Sequence, residues 1–215
     1  MVGISDLWRN FLPNTEIFEA SQTPSEEQGL VFAPRLDPLP LFTNQPKIDI
    51  KGWAQPGAEA VIYLNNAELA ALLTDKSGRF EYGSADLQMG ANRIYAEIKV
   101  SKVVSEPSET QVVELDTTKP ELSAEVHVDE VSDEGVVSIT GTVELNTDLL
   151  INDRRVILSH DGSFTHELQL QPGISPIVMV AIDRAGNEAK IEQNVEYQKP
   201  EEEATTEETG EQSLQ

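Results

Sequence analysis

Between residues 47 and 115 the chain alternates apolar and polar positions in short runs, at 47–54, 60–65, 79–82, 93–100 and 110–115. Alternation with period two is the mark of a half-buried strand. The runs are separated by Gln-Pro-Gly, Asp-Lys-Ser-Gly, Gln-Met-Gly-Ala-Asn and Ser-Glu-Pro-Ser. In such clusters Pro presets a turn angle and Gly supplies positive φ, so each reverses the chain. Short strands at this spacing predict a β-sandwich. Upstream, Pro34, Pro38, Pro40 and Pro46 each lack a ladder donor, so "RLDPLPLF" predicts an edge strand or an extended lead-in. In "NNAELAALLTD", Leu69, Leu72 and Leu73 fall at helical spacing, and a single helical turn competes there.

The pattern then repeats. "IDIKGWA" answers to "VSITGTV", with Gly52 matching Gly141, and "VIYLNN" answers to "DLLINDR", with Asn65 opposite Asn152. Gly78-x-Phe80 aligns with Gly162-x-Phe164, and Leu87-x-x-Gly90 with Leu170-x-x-Gly173. A glycine late in a strand permits a bulge or a close backbone approach, and the Phe after each turn inserts into the core. The fold class expected is all-β, with two similar sandwiches at 34–116 and 117–197, joined tightly at "LDTTKPELSAEV". Residues 1–33 are expected to form an N-terminal stub and linker. Residues 198–215 carry six Glu without hydrophobic periodicity and are expected to be a disordered acidic tail.

Composition narrows the partners. With 15 Lys+Arg against 38 Asp+Glu the formal charge is −23, a field that repels nucleic-acid phosphate and anionic headgroups. Nucleic acid is therefore not expected as a partner. Cysteine is absent, which removes thiol chemistry and disulfides. The opening "VGISDLWRNFLPNTEIF" is apolar and aromatic, then yields to the linker-like "EASQTPSEEQG". It is expected either to follow a membrane anchor or signal segment lying before Met1, or to form a short amphipathic helix on the folded part. A membrane enters this reading only through such an anchor.

These elements resemble tandem bacterial immunoglobulin-like domains, in particular the variety named after domain B of glucodextranase. The likeness rests on "IKGWAQPGAEAVIYLN", "TDKSGRFEY", "LQMGANRI", "ITGTVE", "DGSFTHELQLQPG" and "AIDRAGNEA", with "LDTTKP" as a junction and "PRLDPLPLFTNQPKI" as a lead-in. It covers about residues 34–197. "LNTDLL", without a Pro-Gly turn, and Ser175, where Asn is common, depart from the pattern. The resemblance implies immunoglobulin-like sandwiches in an extracytoplasmic, cell-surface setting, acting as spacer, adhesive or carbohydrate-accessory modules that meet protein or glycan. No catalytic residues are expected: His160 and His166 flank a hairpin without a nucleophile motif, and no catalytic elbow, zinc motif or phosphate loop is present.

Two candidate binding sites remain. Strict alternation from Ile48 puts Trp53 outward, beside Tyr63 on the following strand, as a platform for a sugar ring. A bulge at Gly52 would instead turn Trp53 into the core. The one cofactor the sequence suggests is calcium, which wants several oxygen ligands. Asp116, Asp183 and Asn187 resemble residues near junctional calcium in stacked surface domains, although Asp183 is expected at the far end of the second sandwich. The alternative is that Asp116 and Thr117 turn the junction through side chain–backbone hydrogen bonds.

Overall fold

The computed structural model describes residues 31–200, which are strand and loop apart from a single-turn 3-10 helix at Val128–Glu130. The first nine strands are β1 (Arg35–Leu36), β2 (Phe42–Thr43), β3 (Lys47–Trp53), β4 (Glu59–Leu64), β5 (Ala67–Leu73), β6 (Arg79–Asp86), β7 (Gly90–Val100), β8 (Val103–Val104) and β9 (Gln111–Leu115). Seven follow: β10 (Leu122–Val126), β11 (Val136–Val143), β12 (Asp148–Ile151), β13 (Arg154–Val156), β14 (Ser163–Gln169), β15 (Gly173–Ile182) and β16 (Glu188–Tyr197).

They build two immunoglobulin-like sandwiches in tandem. The first packs the sheet β1-β3-β6 on β2-β9-β7-β4-β5, with β8 also on β7. The second packs β10-β11-β14 on β13-β12-β15-β16. Each has its own core. Ile50 and Phe80 meet Ile62, Ile94 and Ile98 in the first; Ile139 and Phe164 meet Leu149, Ile151, Ile177 and Met179 in the second. Each such side chain, taken fully from water, contributes about 1.5–3 kcal/mol.

The paired glycines serve these cores by close approach. A Cβ on Gly52 would stand 2.4 Å from the Phe80 ring and 2.7 Å from the Arg35 carbonyl oxygen. On Gly141 it would stand 2.8 Å from the Phe164 ring and 2.2 Å from the Ser123 carbonyl oxygen. The glycine is the space into which the core Phe fits beneath the lead-in strand. The register irregularity of β3 lies between Ile48 and Ile50, so Gly52 is not bulged and Trp53 stays outward.

The lead-in divides between layers: β1 joins β3, then the prolines carry the chain across and β2 runs parallel to β9. Residues 67–73 are strand, not a helical turn. Asn65 and Asn66 both have positive φ (51° and 68°), as a two-residue type I′ hairpin requires, and this sends β5 back along β4. The register shifts between Ile62 and Tyr63, skipping Leu69, so Leu69 and Leu72 both pack on the core. That bulge is the origin of the helical spacing. Of the expected stub and acidic tail, residues 1–30 and 201–215 lie outside the described residues.

Candidate functional site

Trp53 ends β3, opposite Arg35 on β1 and Arg79 on β6. It is 41% exposed. Its indole N–H donates to the Asp37 carboxylate at 3.2 Å, and the Arg79 guanidinium lies 4.9 Å from the ring centroid. Tyr63 belongs to the other sheet, directly opposite Tyr95 on β7, so the proposed Trp53–Tyr63 pair does not form. Adjacent strands in sequence had crossed between layers. The Tyr63 and Tyr95 rings stack at 4.8 Å and 10° between planes. Burial pushes the Tyr63 phenol up, and the neighbouring Glu97 carboxylate adds to the effect. One face of each ring is spent on its partner, and Arg79 lies over one face of Trp53.

The other candidates converge. The β15–β16 turn does not face away from the first sandwich: it lies against Asp116, and the expectation for Asp183 is corrected. Antiparallel β15 and β16 return that turn to the seam. Asn187, 8% exposed, donates from its side-chain amide to the Asp116 carbonyl at 2.9 Å and to one Asp183 carboxylate oxygen at 2.8 Å. Its main-chain N–H donates to the other Asp183 oxygen at 2.8 Å. From the first sandwich, the Asn44 amide donates to the Gly186 carbonyl at 2.9 Å, and the Arg184 guanidinium sits 5.7 Å from the Phe42 ring centroid. Arg184 also donates to the Asn146 side-chain oxygen at 2.6 Å. The Asp116 carboxylate accepts from the Thr118 N–H at 2.9 Å, the turn role considered for that residue. A cleft of about 200 Å³ opens beside these groups, lined among others by Phe42, Asp116, Glu144 and Asp183.

Burial pushes the Asp183 carboxyl up, but hydrogen bonds from Asn187 and from the turn's main-chain N–H groups outweigh it and hold it below the usual range. This arrangement is a poor fit to calcium as it stands. Each Asp183 oxygen already accepts an N–H from Asn187, and Asn187 presents its amide nitrogen, not its oxygen, between two acceptors, so it offers no ligand oxygen there. The flipped amide would set its oxygen against the carboxylate, so the donor network fixes the orientation. Among the described residues no three His, Asp or Glu side chains gather as a metal-holding group.

Of the histidines, His166 on β14 stands opposite Ile139 and not His160. The sequence offered no signal for Asn44, Phe42 or Arg184: their contacts span about 140 residues, beyond any local periodicity.

No family model matches the chain. It is 28% identical over 168 residues to Bacillopeptidase F of Bacillus subtilis, covering 74% of this chain and 11% of that protein's length. Among solved structures it is similar to the fibronectin(III)-like modules of Clostridium thermocellum CbhA, at a TM-score of 0.49 and 14% identity, over 80% of this chain and 92% of that one. A 1.5-MDa bacterial ice-binding adhesin aligns at a TM-score of 0.42 and 11% identity, over 79% of this chain and 64% of that one. At these scores the likenesses carry no functional argument; the sandwich fold rests on the sheets and cores themselves.

Proposed function

We propose that the chain is a non-catalytic, extracytoplasmic binding and spacer module of a bacterial surface or secreted protein. In this reading its two sandwiches act as one unit that holds edges and loops at a fixed distance from an attachment point. The observation that carries it is the clasp at the seam, where Asn187 and Asn44 tie the sandwiches by main-chain carbonyls on opposite sides. The span matched in Bacillopeptidase F is a small part of that protein, which supports a modular role. A competing reading follows from that relative's name, an accessory region of a peptidase, and it too needs no catalytic residue here.

The absence of cysteine allows a direct test. Spin labels on Lys102→Cys and Glu196→Cys should report a single narrow distance distribution, unchanged by calcium or by chelator. A broad distribution would overturn the spacer reading; narrowing by calcium would restore a metal at the junction. Carbohydrate recognition through Trp53 is tested by a glycan array with Trp53→Ala, and loss of a bound glycan would establish it in place of the spacer role.

A further inference from the structure

The largest length difference between the two copies follows the paired asparagines. From Asn65 to Gly78 the chain takes 13 steps, but from Asn152 to Gly162 only 10. In the first sandwich the longer path lets β5 pair with β4 over six positions, from Leu64↔Ala67 to Glu59↔Leu73. Thr74 then seals the end: its hydroxyl accepts the Ala58 N–H at 3.0 Å and donates to the Gln55 carbonyl at 2.6 Å. In the second sandwich β13 pairs with β12 over three positions and stops at Leu149↔Val156. The chain must leave for the other sheet three residues early, and the start of β12 loses its neighbour on that side.

A slot of about 390 Å³ results, lined by Thr147, Asp148, Arg155, Val156, Ile157 and Leu158. Two features set it apart from an ordinary surface cleft. Thr147 is 5% exposed, yet its hydroxyl has no hydrogen-bond partner, alone in this among buried side-chain polar atoms of the described residues. Buried polar groups are nearly always satisfied, so this orphan beside the slot marks a place where the second sandwich is incomplete. Ile157 is 92% exposed at the slot's mouth, beside the Arg155–Asp148 ion pair. Arg155 retains further N–H donors for a second carboxylate.

We infer that this slot is a docking site for a short extended segment of a partner polypeptide, which adds to β12 where the second sandwich lacks the end of its β5 counterpart. The same place in the first sandwich is filled by extended main chain. A peptide offers the alternating donors and acceptors that the start of β12, where Asp148 has no partner on β13, can pair with, which a sugar cannot match in register. The segment carries an apolar residue toward Ile157 and Leu158 and a carboxylate toward Arg155. This names a ligand class for the binding role proposed above and rests on that reading; the spin-label experiment probes another part of the molecule, so each can fail alone.

The probe is the blocked peptide acetyl-Glu-Leu-Leu-Thr-amide, the tail of β5 with Glu in place of Ala71, titrated to millimolar concentration against the isotope-labelled chain. Saturable amide shifts are expected at Thr147, Asp148 and Ile157. Replacing the first Leu by Pro, which removes a ladder donor, should weaken binding about tenfold, as should Lys in place of Glu. A variant with three residues added after Val156, lengthening β13 to match β5, should abolish the shifts while remaining folded. Absence of shifts at those residues, equal binding by the Pro peptide, or binding undiminished in the lengthened variant would each overturn the inference.

Discussion

In the first sandwich β2 lies along β9, and six residue pairs join β4 to β5; in the second, β16 pairs only with β15 among the described strands, and β12 keeps three pairs with β13. The same contrast recurs inside. Asn92 is fully buried, accepts the Gln88 N–H at 2.9 Å and donates to the Gln88 and Gly90 carbonyls at 2.7 and 2.9 Å. Ser175, two residues after the matching glycine, makes a single 3.4 Å contact to the Gln171 carbonyl. The two copies share what fills the core and differ in what closes the rim. Core volume constrains both alike. Rims can be trimmed, but each trimmed residue leaves polar groups to be satisfied some other way.

The strongest test of the shared part is at the glycines. Gly52→Ala and Gly141→Ala should each cost about 3 kcal/mol in chemical denaturation, because the Phe ring and a main-chain carbonyl both block the methyl. A loss below about 1 kcal/mol at either position would separate the two cores. Next comes the rim: Asn92→Ala should lose about 2 kcal/mol by stranding its buried partners, whereas Ser175→Ala should stay within about 0.5 kcal/mol. The smallest effect is the sharpest. Thr74→Val should destabilise by about 1 kcal/mol, and Thr147→Val should stabilise by a similar amount, since only the first hydroxyl has partners. Equal signs would erase the distinction between a sealed and an open rim.

The architecture was legible because alternation, turn chemistry and the repeat all point to one answer. Gly52 and Gly141 mark the repeat, and of the two reasons a late-strand glycine offers, bulge or close approach, the structure shows the second: a ring and a carbonyl stand overhead. β5 was obscured because its bulge at Leu69 mimics helical spacing; Asn65-Asn66 and Asn152-Asp153, all with positive φ, were the turn signal that identifies it. Sites were harder. Asp116, Asp183 and Asn187 stand out together in the sequence and do meet, yet through an amide donor between two oxygen acceptors. Strand neighbourhood pairs Trp53 with Tyr63, and that inference fails wherever the chain changes sheets. The slot at Thr147 is a three-residue shortfall, visible only when the two copies are laid side by side.

The clasp at the seam is the central claim, and it carries a pH signature. Folding lowers the Asp183 pKa, so its contribution is complete above its unfolded value near about 4 and is lost as pH falls through the lower folded value. Residual dipolar couplings measured across the whole chain test the clasp directly. At neutral pH one alignment tensor should fit both sandwiches. In Asn187→Ala, and in the parent chain once acid has protonated Asp183, each sandwich should need its own tensor while its internal couplings stay unchanged. Two tensors in the parent chain at neutral pH, or one shared tensor in Asn187→Ala, would contradict the account.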